Sequence, residues 1–182
     1  MAQPSLTQGG IHLGPGHGKS FWLLTDLHTF KAVGADTNGA FTVAELNAGP
    51  ELGPPPHIHR HAGETFYILE GSFEFSLAGK PFTAGAGSFV HLPKGIVHTH
   101  RAGGGAPAKA LVIQSPSGIE RFIEEAGRPA PDISARPSPP ELPELARIVS
   151  RRAEARHRRA LSVGSVGLEG QSQTLRARTG PY

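Results

Sequence analysis

The sequence predicts a mostly β chain, an antiparallel β-barrel or jelly roll with two C-terminal helices lying outside it. Three observations predict this. Roughly nine or ten short β-like runs precede any helical pattern, the order expected of an all-β body with appended helices. The 182 residues include 24 Gly and 17 Pro, which favour many turns and short strands over long helices. Several runs alternate apolar and polar residues with a period of two, whereas helical spacing begins only after Ser117.

Taken in order, residues 1–20 form a glycine-rich lead-in expected to be flexible. Gly18-Lys19-Ser20 ends like a phosphate-binding loop, but the glycine required five residues earlier is Leu13, and a strand follows where a helix is needed. Nucleotide binding is therefore excluded. The body spans 21–127 with its first helix. Phe21–Leu24 and Thr29–Val33 read as strands with a break near Asp26. Gly34–Gly39 is a turn, and Phe41–Leu46 alternates as a strand should.

Glu64–Glu70 is rich in β-formers, and Ser72–Leu77 buries Phe73, Phe75 and Leu77 on one face. Gly71 between them predicts a hairpin. Gly79-Lys80 is a further turn before Phe82-Thr83. Ser88–Leu92, Ile96–His100 and Lys109–Gln114 are the remaining strands. The Phe residues between 21 and 89 are expected to fill the interior.

After that the period changes. Ser117-Gly-Ile-Glu120 is a capping box, Ile119, Phe122, Ile123 and Ala126 follow at helical spacing, and Gly127 is placed to end the helix. Residues 128–140 read as a Pro-rich linker. Leu142, Leu145, Ile148 and Val149 mark a second amphipathic helix over 141–157. Residues 158–182 are a basic tail without periodicity, expected to be disordered.

Composition narrows the chemistry. Cysteine is absent, so there is no disulfide framework, and any metal must sit on histidine and carboxylate. No signal-peptide pattern or long apolar run is seen, which makes a cytoplasmic protein without a membrane span the default expectation. The net charge of +3 is uneven. Residues 1–146 carry ten Lys and Arg against thirteen Asp and Glu, so the positive charge belongs to the tail. No aromatic residue interleaves with its arginines, and nucleic acid is not expected as a partner. A small-molecule substrate is expected, with a homodimer left open.

Two stretches carry the chemistry. In Gly53–Gly71, His57, His59, His61 and Glu64 fall within eight residues. On an extended strand His57 and His59 share a face, and His61 joins them if the strand continues. Pro54-Pro55-Pro56 fixes φ on the approach. Imidazole and carboxylate on one face suit a divalent transition metal. The second stretch is Gly87–His98, followed by His100. Its Pro93-Lys94-Gly95 turn precedes His98.

With both stretches in view, the chain resembles the cupin family. The family's first motif falls on His57, His59, Glu64 and Gly71, and its second on Gly87, Pro93, Gly95 and His98. Two positions depart: the leading glycine falls on Glu51, with Gly53 and Gly49 close by, and the closing asparagine on Ala102. The wider layout resembles single-domain quercetin dioxygenase-like cupins, through Ser20-Phe-Trp22, Phe30-Lys31, the Pro54–His59 and Glu64–Gly71 runs and Gly118–Glu125.

The resemblance implies a cupin barrel holding one divalent transition metal (Fe, Mn, Ni, Co, Cu or Zn) on His57, His59, Glu64 and His98. It implies Glu64 as a catalytic base and no organic cofactor. His61 and His100 are expected to be exposed bystanders, and Trp22 and Tyr67 to be packing residues. Three functions stay open: an oxygenase acting with O2 on a small phenolic or enolisable substrate, a metal-dependent isomerase or lyase, and a non-catalytic binding module. The first is favoured.

Overall fold

The computed structural model describes residues 10–50, 52–138 and 141. The strands are β1 (Lys19–Leu23), β2 (Asp26–Ala32), β3 (Thr42–Ala48), β4 (Gly63–Glu70) and β5 (Ser72–Leu77). They continue as β6 (Lys80–Gly85), β7 (Phe89–Leu92), β8 (His98–Ala102), β9 (Ala108–Ser115) and the two-residue β10 (Arg128–Pro129). One helix, α1 (Ile119–Ala126), lies between β9 and β10. The expected second helix over 141–157 and the basic tail fall outside the described residues, apart from Glu141. No described helix is long and apolar enough to cross a membrane.

The strands form two antiparallel sheets. The larger runs β10-β1-β2-β3-β9-β4-β7 and the smaller β6-β5-β8. Between them lies one apolar core, with Leu46, Phe66, Ile68, Leu92 and Ala110 from the large sheet against Phe73, Phe75 and Ala102 from the small one. Phe66 is its centre, with no exposed surface, and its ring meets Phe75 edge-on at 5.2 Å. Strand alternation decides which side chains enter. On β3, Thr42, Ala44, Leu46 and Ala48 point in while Val43, Glu45 and Asn47 point out.

The expected barrel is thus realised as two facing sheets, and no strand ladder closes them into a ring among the described residues. The hairpin expected at Gly71 is also corrected. β4 already has β9 on one edge and β7 on the other, so neither edge is left for β5. The turn at Gly71 instead carries the chain from the large sheet to the small one, where β5 pairs with β6 and β8. The β5–β6 connection is the true two-residue hairpin. Ala78 and Gly79 both have positive φ, 50° and 79°, which matches the strand twist.

Three phenylalanines do not fill the interior. Phe41, Phe82 and Phe89 are 40%, 38% and 69% exposed. In β7 the inward positions belong to Val90 and Leu92, so alternation turns Phe89 outward.

The helix seals one end of the sandwich. Phe122, Ile123 and Ala126 pack on Phe21, Phe30 and Ala44. Its start differs from a Ser117 cap: Gly118 is the N-cap, and no side chain caps it by hydrogen bond. The Glu120 half of the expected box does operate. Its carboxylate accepts the Gly118 N–H at 2.7 Å, the Thr42 hydroxyl at 2.6 Å and the Gly34 N–H at 3.2 Å. One buried carboxylate therefore ties the helix to β3 and to the β2–β3 turn.

Gly127 ends the helix as expected, but not by adopting a left-handed conformation. Its φ is −81°, and a side chain there would collide with the carbonyls of Ile123 and Trp22. The first residues after it are docked. β10 pairs with β1, and Ala130 packs with Trp22 and Leu27 on the outer face of the large sheet.

Candidate metal centre

The His57–His61 segment is not a regular strand, which corrects the shared-face reading. It is an extended approach to β4, and its only ladder contact among the described residues is a single antiparallel bridge between His57 and His98. The Pro54–Pro56 run supplies no N–H groups for a ladder, so the segment is held at discrete points instead. His57 N–H donates to the His98 carbonyl and His98 N–H to the His57 carbonyl, both at 2.9 Å. Gly95 N–H donates to the His59 carbonyl at 2.9 Å, and the Thr99 hydroxyl to the Pro54 carbonyl at 2.5 Å. The two histidine stretches are in this way sewn together.

Gly53 is part of that seam. The approach runs so close to β8 that a side chain at Gly53 would overlap the His100 carbonyl. The close-approach glycine is therefore Gly53, two residues after the motif position occupied by Glu51.

His57, His59, Glu64 and His98 each bring one ligand-type atom to within 4.8 Å of the others. Glu64 comes from β4, where it lies in register with Leu92 of β7 and Gln114 of β9, and points inward. Its Oε2 stands 3.5 Å from both His59 Nε2 and His98 Nε2. His57 Nδ1 is 2.9 Å from the Pro55 carbonyl and His98 Nδ1 is 2.9 Å from the Ile96 carbonyl. A carbonyl only accepts, so both Nδ1 atoms carry the proton, and in the neutral ring each Nε2 is the acceptor nitrogen.

The fit of this cluster to a metal rests on orphaned atoms. Glu64 Oε2 and His98 Nε2 are buried without a hydrogen-bond partner. Leaving a buried charged acceptor unmade is expensive. A divalent cation would satisfy both at once, and three imidazoles with one carboxylate are a suitable donor set for a first-row transition metal. Burial raises the Glu64 carboxyl, but the imidazoles of His59 and His98 outweigh it and hold the group well below the usual carboxylate range. Glu64 is thus ionised, as a ligand must be.

The other sequence expectations divide. His61 is exposed and lies outside the cluster. His100 is not exposed. It is 7% accessible, with its ring 4.8 Å from Phe66, because β8 alternation puts it on the same inward face as His98. Trp22 is buried, whereas Tyr67 is 46% exposed on the outer face.

Two residues escaped the sequence reading. His28 lies in β2 in register with Leu46, facing a small cavity beside Glu64. Burial first, then His100, lowers its pKa, Glu64 pulls it back, and the result is about 4. Gln114 lies in β9 with its Nε2 3.5 Å from His59 Nδ1. Alternation with Phe30 in β2 and with Val112 in β9 was the available signal, but neither residue sits in a motif. The cavity has a volume of about 30 Å³, enough to admit water. His28, Thr42, Glu64, His100 and Gln114 are its polar wall, and Ile119 and Ile123 of α1 help close it.

The fold and this cluster define a class. Residues 43–114, the stretch that carries His57, His59, Glu64 and His98, match the cupin domain family. Among curated relatives, a quercetin 2,3-dioxygenase of Bacillus subtilis is 28% identical over 86 residues, covering 47% of this chain and 26% of that protein. Germin-like protein 1-1 of Oryza sativa is 29% identical over 123 residues, covering 62% of this chain and 56% of that protein. The chain thus spans a quarter to just over half the length of these relatives.

Solved structures agree on the fold. KdgF from Halomonas sp. superposes with a TM-score of 0.53 at 16% identity, over 62% of this chain and 99% of that one. An RmlC-like cupin from Shewanella frigidimarina gives 0.52 at 15% identity, over 61% and 94%.

Proposed function

We propose that the protein is a metal-dependent oxygenase of the quercetinase-like kind, acting with O2 on a small phenolic or enolisable substrate. The observation that carries this reading is the convergence of three imidazoles on Glu64, with Oε2 and the His98 Nε2 left bare. The similarity to a quercetin 2,3-dioxygenase over the matched segment supports the reaction class.

His57, His59, Glu64 and His98 would hold one divalent ion, of Fe, Mn, Ni, Co, Cu or Zn. When bound, the ion supplies Lewis acidity and an open coordination position for substrate or O2. The chain's own residues do the rest. Pro55 and Ile96 carbonyls fix two imidazoles in the binding tautomer. Glu64, ionised and sheltered from solvent, is the group that takes the substrate's hydroxyl proton, on the carboxylate oxygen not engaged in holding the ion. Leu46, Ile119 and Ile123 line the cavity and exclude bulk water. The same reading places the protein in the cytoplasm, tested by cell fractionation, and allows a homodimer, tested by sedimentation.

The experiment is oxygen uptake on a flavonol and catechol panel, with protein loaded in turn with each of the six metals. Uptake well above that of Glu64→Ala supports the reading. Turnover in the absence of O2 would replace it with an isomerase or lyase. Ligand binding without turnover would replace it with a binding module.

A further inference from the structure

Each imidazole in the cluster has its Nδ1 turned away from the centre toward a polar group. For His57 and His98 that group is a backbone carbonyl. For His59 it is a side chain, Gln114, which approaches Nδ1 at 3.5 Å through its amide. Gln114 is 4% exposed and lies in register with Thr42 and Glu64, on the inward face of β9. It belongs to a different strand from every other member of the site, 55 residues away in sequence from His59.

The amide can present either end. With Nε2 toward His59, Nδ1 must accept, so His59 carries its proton on Nε2 and points it at Glu64 Oε2, 3.5 Å away. That tautomer cannot offer Nε2 to a metal. With the amide turned by half a rotation, Oε1 accepts from Nδ1–H, and Nε2 becomes the acceptor nitrogen, as in the other two imidazoles. A glutamine amide makes both states available where a backbone carbonyl makes only one.

We propose that Gln114 is the positioning residue for His59, and that its amide turns to accept the Nδ1 proton when the ion binds. This rests on the four-ligand reading above. Gln114 is not among the four candidate ligands. It acts by choosing the His59 tautomer, and so sets affinity for the ion.

The test uses Co2+ titration followed by its visible absorption. Gln114→Met should weaken Co2+ binding by about 10- to 100-fold, the usual effect of losing a partner that orients a ligand. Gln114→Glu keeps an acceptor and should remain close to wild type. Gln114→Met binding as tightly as wild type, or Gln114→Glu falling as far as Gln114→Met, would overturn the inference. A readout on the unaltered chain stands beside these. In long-range 1H–15N spectra of the Zn2+ form, His59 should carry its proton on Nδ1, and a proton on Nε2 would overturn the inference. If the wild-type chain bound neither ion, the four-ligand reading would fall with it. Tight wild-type binding with indifferent variants would sink this inference alone.

Discussion

His98 Nε2 stands 3.5 Å from Glu64 Oε2, and both atoms are buried without a hydrogen-bond partner. Two such atoms side by side are unfavourable unless a third group satisfies them. The strands hold them there regardless, since β4 fixes Glu64 between β7 and β9 while β8 fixes His98 against the approach to β4.

That relationship gives the first prediction. His57→Ala and His98→Ala should each reduce bound metal from about one ion per chain to a trace, since a mononuclear site needs its full ligand set. The circular dichroism of both should stay that of a β protein. Full metal occupancy in either variant, by elemental analysis, would remove the four-ligand site.

A second prediction follows from His28. Its pKa falls from 6.5 to about 4 on folding, so between those values the unfolded chain binds a proton that the folded chain does not. Stability is therefore fully present above pH 6.5 and declines as pH falls toward 4. The loss is on the order of 3 kcal/mol. Glu64 acts with the same sign at lower pH, because its carboxyl is held below its ordinary value. His28→Gln should flatten the urea-midpoint profile between pH 6.5 and 4. An unchanged slope would refute the assignment.

Glu120 is the third. Its two oxygens serve three donors: Thr42 and Gly118 on Oε2, Gly34 on Oε1. In Glu120→Gln either orientation of the amide sets an NH2 against a donor. The expected cost is about 1–3 kcal/mol, read from denaturant unfolding. Helix α1 should show the earliest loss of hydrogen-exchange protection. A variant as stable as wild type would mean that apolar packing alone holds the helix.

The fourth concerns the core. Phe66 is completely buried, and its ring meets Phe73, Phe75 and His100. Phe66→Ala should cost about 3–5 kcal/mol through lost burial and a residual cavity. Because His100 leans on the same ring and neighbours His98 through Thr99, metal affinity should fall too. Calorimetry and Co2+ titration on one sample measure both.

Much of this was written locally. Period-two alternation located β3 and β5, a run of β-formers located β4, and helical spacing placed α1 with Gly127 at its end. The spacing of His57, His59 and Glu64, with Gly95 and His98 further on, identified the candidate ligands. Those features are legible because they depend on neighbours a few residues apart: strand alternation, turn residues, and a motif whose spacing is itself the signal.

Partnership across the chain was not legible. Gly71 is a good hairpin residue, yet β4 and β5 separate because β9 and β7 occupy both edges of β4, a matter of competition between distant segments. His100 reads as an exposed neighbour of His98 until the aromatic core is assembled around it. His28 and Gln114 carry no motif, and only the stacking of β2, β3 and β9 brings them beside Glu64. Sequence alone thus indicated most of the elements and the four candidate ligand residues. Tertiary structure decided which edges pair, which imidazoles are buried, and what stands behind each ligand, because non-local packing chooses among partners that local pattern leaves equivalent.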